Sequence, residues 1–172
     1  MRFVWLIALL MMGCAQKVYH QPYIETTAHY HTKIFIGVAD VELPDYLLID
    51  KILVQEESER FIDFALAGEP DELLTKRLIA YLRSYLGNEN VLHYPWEGDK
   101  VPRCIVKLHV DAIYIHADQL VIEGYYFDKK FVVKKDLQEN IQQTFDSALQ
   151  NLYAMVAKDV AKRCLHKKID AN

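Results

Sequence analysis

The spacing of hydrophobic positions changes repeatedly along this chain, and each change marks an element. Ile34, Phe35, Ile36 and Val38 form a short, nearly continuous apolar run, which predicts a strand covered on both faces. Lys51 to Gln55 and Arg60 to Ala65 are two more strand candidates. The charged stretch Glu56-Glu57-Ser58-Glu59 between them suits the solvated tip of a hairpin. Beyond it the period lengthens. Leu74, Leu78, Leu82 and Tyr85 recur at spacings of four, four and three, which lines one face of a helix with core residues. Pro70 stands near the first turn of that helix beside Asp71 and Glu72, both favourable against its dipole, and Gly87 is placed to end it.

After Pro95-Trp96 and a loop ending at Pro102, alternation returns over residues 104–115, 120–127 and 130–137. In the first of these, Cys104, Val106, Leu108, Val110 and Ala112 share one face. Ile105, Lys107, His109 and Asp111 share the other, so one face is expected to pack and the other to be partly wet. The same parity leaves Ile113 and Ile115 with Ile105 on the wetter side. Asp118-Gln119 and Asp128-Lys129 read as short turns, which makes the three strands an antiparallel meander. A last helix starts between Asn140 and Thr144, either of which can cap it. Phe145, Leu149, Leu152, Val156 and Val160 form its apolar face, and Lys158, Lys162 and Arg163 complement its C-terminal end. Strands, helix, strands, helix, with connections this short, predict an α+β two-layer sandwich. Its sheet is mostly antiparallel or mixed, and both helices pack on one face.

Composition then narrows the function. The chain has 172 residues and a net charge of −4, with 20 Lys+Arg against 24 Asp+Glu, so a basic nucleic-acid surface is not expected. One domain fits this length. No two of Gly13, Gly37, Gly68, Gly87, Gly98 and Gly124 lie close enough to build a phosphate-cradling loop. None of Ser58, Ser84 and Ser147 sits in a G-x-S-x-G turn, and no H-E-x-x-H occurs. Carboxylates such as Asp111 and Glu123 lie scattered on strands, where solvation is the expected state. An enzyme is therefore not the expected reading, and neither a catalytic residue nor a cofactor is called for.

The first residues read as an address. Met1-Arg2 supplies a short positive start and Phe3 to Met12 an unbroken run of ten apolar residues. As a helix that run spans about 15 Å, half of the ~30 Å bilayer core, which suits a signal peptide and not a membrane span. It ends Leu10-Met11-Met12-Gly13-Cys14, which resembles a bacterial lipobox. The resemblance implies cleavage after Gly13 and a diacylglycerol and an N-acyl chain (palmitate is the usual type) on Cys14, the only covalent group expected. Two or three acyl chains give lasting attachment where one is marginal. Ala15, rather than Asp, after the cysteine favours sorting to the outer membrane. Residues 14–32 then read as a lipidated start and flexible tether, 33–165 as the folded domain and 166–172 as a polar tail. His20, His29 and His31 lie in the tether, where a solvated linker is a better reading than a metal site.

Two cysteines remain. Cys104 opens a strand on its core face, and Cys164 continues the 156, 160, 164 face of the last helix, so both thiols can meet at one pole. In an oxidising compartment a disulfide is one reading, and two buried thiols acting as small apolar residues are the other. There is no C-x-x-C to suggest redox chemistry.

Several blocks then fall in a familiar order. Val38-Ala39-Asp40-Val41-Glu42-Leu43-Pro44-Asp45-Tyr46-Leu47 is followed by Ile52-Leu53-Val54, Glu69-Pro70 stands before Leu74, Leu78 and Leu82, and Val91-Leu92-His93-Tyr94-Pro95-Trp96 leads into Ile105-Val106-Lys107-Leu108-His109-Val110. With the closing helix from Phe145 to Ala161, residues 33 to 163 resemble the auxiliary lipoproteins of ABC-type transport systems, the PqiC-like family. The resemblance implies an accessory subunit anchored in the outer membrane of a Gram-negative envelope and facing the periplasm. It also implies a partner carrying MCE (mammalian cell entry) domains, in systems that move phospholipids or other hydrophobic molecules. The resemblance further implies a lipoprotein that docks the periplasmic conduit and turns over no substrate. A homo-oligomer stays open as a further association. Of the motif positions, Tyr46 and Trp96 are candidates for partner contact, though either ring can also plug the sheet's rim. The alternative function is a structural lipoprotein of outer-membrane or cell-wall assembly.

Overall fold

A computed structural model describes residues 26–64, 68–96 and 98–165. The signal-like segment, Cys14 and the C-terminal tail lie outside the described residues. The chain forms β1 (Ile36–Val38), a 3-10 turn (Asp45–Leu47), β2 (Lys51–Val54), β3 (Arg60–Asp63) and α1 (Pro70–Leu86). It continues through β4 (Val91–His93), β5 (Cys104–Val106), β6 (Leu108–His116), β7 (Gln119–Tyr126), β8 (Lys129–Asp136) and α2 (Ile141–Val160), and ends in a π-helical turn, Ala161–Leu165. This is an α+β fold.

Two sheets are present. One has the order β4-β1-β5 and is parallel throughout; the other has the order β3-β2-β6-β7-β8. In the second sheet only β2 and β6 are parallel. The two sheets join along one line of chain. After β1, Ala39 N–H donates to Val106 O, Glu42 N–H to Leu108 O, and Val110 N–H back to Glu42 O, so residues 39–42 carry the pairing of β5 on to β6. The sheet is therefore mixed. The meander and the β2–β3 hairpin supply its antiparallel pairs, whereas the parallel ones come from β1 and β2 lying in turn along one edge of the β5–β6 stretch.

Local signals position the rest. Ile36 and Val38 are wholly buried at the centre of the parallel sheet, as a continuous apolar run requires. In α1, Pro70 occupies the first turn, and Gly87 at φ 54° closes the helix with its N–H on Arg83 O and Ser84 O. Asn140 caps α2, its side chain accepting from Gln142 N–H at 2.9 Å. The helix α2 lies over β7 and β8, α1 lies over β1 and β4, and the two helices pack on each other. Between them Arg77 and Asp146 form a largely buried ion pair at 3.2 Å. Phe64 meets Phe145 edge-on at 4.9 Å, and the buried Tyr153 hydroxyl donates to Leu74 O.

Three sequence expectations change. First, the 104–115 alternation breaks at a bulge between Val110 and Ala112. Past this bulge the inward parity switches, so Ile113 and Ile115 are buried and Ala112 is not fully so. Second, the hairpin turns are Ala117-Asp118 and Phe127-Asp128, one residue earlier than read. All four residues have φ between 47° and 62°, the conformation of two-residue primed turns. Third, residues 26–32 are not a free tether. His29 N–H donates to Tyr85 O, Ser84 Oγ donates to Thr26 O, and the His29 ring lies 4.6 Å from that of Tyr85. The end of α1 offers carbonyls and an aromatic surface that this segment covers.

Candidate partner-docking surface

Both helices cover one face of the sheet, and the opposite face carries its own row of side chains. Register places Phe61 of β3, Leu53 of β2, Tyr114 of β6, Val121 of β7 and Lys134 of β8 side by side across all five strands. Val121 is only 3% exposed although it stands apart from the main core, so this row makes a small apolar cluster of its own. At its β3 end Phe61 is 52% exposed. Leu48 and Ile49, also exposed, follow the 3-10 turn that leads into β2. That end of the sheet is an open edge only four residues long. The other edge, β8, carries Lys129, Lys130, Lys134 and Lys135, which discourage strand addition there.

Tyr46 belongs to this face. Its ring lies 5.7 Å from that of Phe61, and its hydroxyl accepts from Ile113 N–H at 2.9 Å. Burial pushes the phenol pKa up, the Ile113 backbone opposes that shift, and the Glu123 charge adds to it. Tyr114 is raised in the same sense, first by burial and then by the Glu123 charge and its hydrogen bond to Glu123. Glu123 is thus the acceptor for a neighbouring phenol. The Tyr46 hydroxyl is committed to the backbone, leaving only its ring for a partner.

Trp96 lies on the loop after β4, following a cis Tyr94–Pro95 bond. It is half-buried, with Tyr94 edge-on at 5.7 Å. The indole covers Gly37 of β1, where a Cβ would stand 3.0 Å from Trp96 Cζ3. Part of the ring therefore serves the fold, while Tyr94 beside it is exposed.

Sequence reasoning missed three histidine–carboxylate contacts at and beside the 39–42 crossing. His93 Nε2 lies 2.6 Å from Asp40, and His109 lies between Glu42 at 2.8 Å and Asp111 at 3.2 Å while stacking on Tyr125. Their signal was the parallel pairing of residues 36–42, which no local pattern announces. Among the described residues no group of three His, Cys, Asp or Glu side chains is placed to hold a metal. Cys104 and Cys164 are joined as a disulfide, Cα–Cα 5.9 Å, tying the start of β5 to the π-helical turn after α2.

The model of the ABC-type transport auxiliary lipoprotein component matches residues 20–161, nearly the whole described fold. The chain belongs to that family. Its members are auxiliary components of transport systems, which gives this chain an accessory role beside a transporter and a membrane-associated place in the envelope. The crystal structure of protein XCC0632 from Xanthomonas campestris, a DUF330 protein, shares the fold at TM-score 0.60 and 10% identity. The match covers 84% of this chain and 93% of that one. A second crystal structure, of an uncharacterized protein, is similar at TM-score 0.52 and 17% identity, covering 80% of this chain and 98% of its own. Among curated proteins none matches.

Proposed function

We propose that this auxiliary lipoprotein is held in the outer membrane by acyl chains on Cys14 and docks the periplasmic, MCE-domain part of an ABC-type system that moves phospholipids or other hydrophobic molecules. The observation that carries this reading is position: the family match begins at residue 20, directly behind the lipobox-like Gly13-Cys14. From Cys14 to the first docked residue, Thr26, twelve residues reach at most ~43 Å, so the domain stays within that distance of its anchor. Partner contact falls to the exposed rings and aliphatics at the β3 edge and the Tyr94–Trp96 loop. A photo-crosslinking residue at Phe61 or Trp96 tests it in intact cells. Adducts with an MCE-domain protein support the reading, and adducts with only a barrel protein or peptidoglycan point to the assembly role.

A further inference from the structure

Positive charge gathers in one place on this net-acidic chain. A groove of about 230 Å³ runs between the edge strand β8 and the C-terminal half of α2, with Lys129 and Lys130 on the strand, Lys158 on the helix and Lys162 on the π-helical turn that follows it. Lys158 and Lys162 are four residues apart and both line the groove. Among the described residues the only acidic side chain in the lining is Asp159, and it is already engaged. Its Oδ2 accepts from Lys129 Nζ at 2.8 Å and from the Tyr126 hydroxyl at 2.9 Å. Among the described residues Lys130, Lys158 and Lys162 form no ion pair; Lys158 and Lys162 flank the hollow from the helical side, and Lys130, of the same strand parity as Lys134, borders it from the far side of the edge strand. The hollow is not polar throughout, because Phe131 and Met155 form part of its lining.

We propose that this groove binds the phosphate headgroup of an anionic phospholipid. Flexible point charges without an ion-pair partner at the rim of a hollow suit a phosphate, whose oxygens accept charge-assisted bonds from several directions. The apolar part of the lining suits the glycerol and first methylenes that follow a headgroup, a surface for which a bare anion has no use. The inference rests on the transport reading only for its choice of a lipid as the phosphate carrier. Headgroup binding and partner capture are separate observables, so either can fail alone.

The test uses the full lipoprotein in neutral detergent, followed by native mass spectrometry with added phosphatidylglycerol, phosphatidylcholine or inorganic phosphate. Phosphatidylglycerol is expected to be retained in preference to the other two. The Lys130→Gln/Lys162→Gln variant should retain about thirtyfold less of it, in line with the contribution of two lysines near an anionic headgroup. Lys158→Glu, an independent single reversal, should show the same loss. Lys76→Gln/Lys100→Gln removes two charges elsewhere and should lose nothing. Undiminished retention in either groove variant, equal loss in the control, or equal retention of phosphatidylcholine or inorganic phosphate overturns the proposal.

Discussion

The Tyr46 hydroxyl sits against the backbone of Ile113, accepting from its N–H at 2.9 Å and lying 3.3 Å from its carbonyl oxygen. Ile113 lies just past the β6 bulge, where the ladder to β7 has shifted. The phenol thus satisfies backbone groups from outside the sheet. Tyr46→Phe removes that partner and is expected to destabilise the fold by about 1–2 kcal/mol, read as a lower denaturant midpoint with unchanged slope. An unchanged midpoint would leave Tyr46 with a surface role only.

Gly124 faces the same bulge from β7. A Cβ there would lie 2.0 Å from His109 O and 2.9 Å from Val110 Cα, both backbone atoms that cannot swing away. Gly124→Ala should therefore cost about 2–3 kcal/mol or fail to fold, although alanine otherwise suits a strand better than glycine. Thermal denaturation against the parent chain measures it, and a neutral outcome would mean the bulge can relax.

The Cys104–Cys164 disulfide closes a stretch with a sequence separation of 60. In the chain-entropy model such a loop contributes about 4 kcal/mol, which for a domain of this size is a fall of about 10 °C in midpoint on reduction. Calorimetry with and without reductant reads it. A midpoint indifferent to reductant would mean that the two residues act as buried thiols.

Asp159 is held below its ordinary carboxylate pKa of 3.8, first by its hydrogen bond from Lys129; burial opposes this, and the Tyr126 hydroxyl adds to the lowering. Lys129 is raised by the same bond, so both partners favour the charged pair. A depressed carboxylate pKa contributes stability that is present above 3.8 and is lost as pH falls through the folded value. Acid titration of the thermal midpoint should therefore show a loss below 3.8 that is shallower in Asp159→Asn. Identical acid limbs in the two proteins would contradict this coupling.

What the sequence disclosed depended on how local the cause was. The helix α1 was readable because Pro70, the leucine stripe and Gly87 lie within eighteen residues and each acts on its own neighbourhood. The hairpin of β2 and β3 was readable for the same reason. The bulge at Asp111 was not, because alternation looks continuous through it and its cause, the missing side chain of Gly124, lies on the next strand. The parallel pairing of β1 with β4 and β5 joins segments far apart in sequence and has no turn to announce it. The parallel bridge that continues it, Glu42 with His109, sets those two side chains together, which no motif predicted. Tyr46 and Trp96 were found as motif residues, but their division between fold and surface needed the positions of Ile113 and Gly37.

The central claim is that this lipoprotein serves its transporter by holding an MCE-domain partner. The most direct test is native mass spectrometry of the full lipoprotein drawn from membranes in mild detergent. Retention of an MCE-domain protein, lost or weakened in a Phe61→Ala chain that keeps its thermal midpoint, is the result expected. A bare lipoprotein carrying only its own acyl chains, or one bound to a barrel protein instead, would contradict the account.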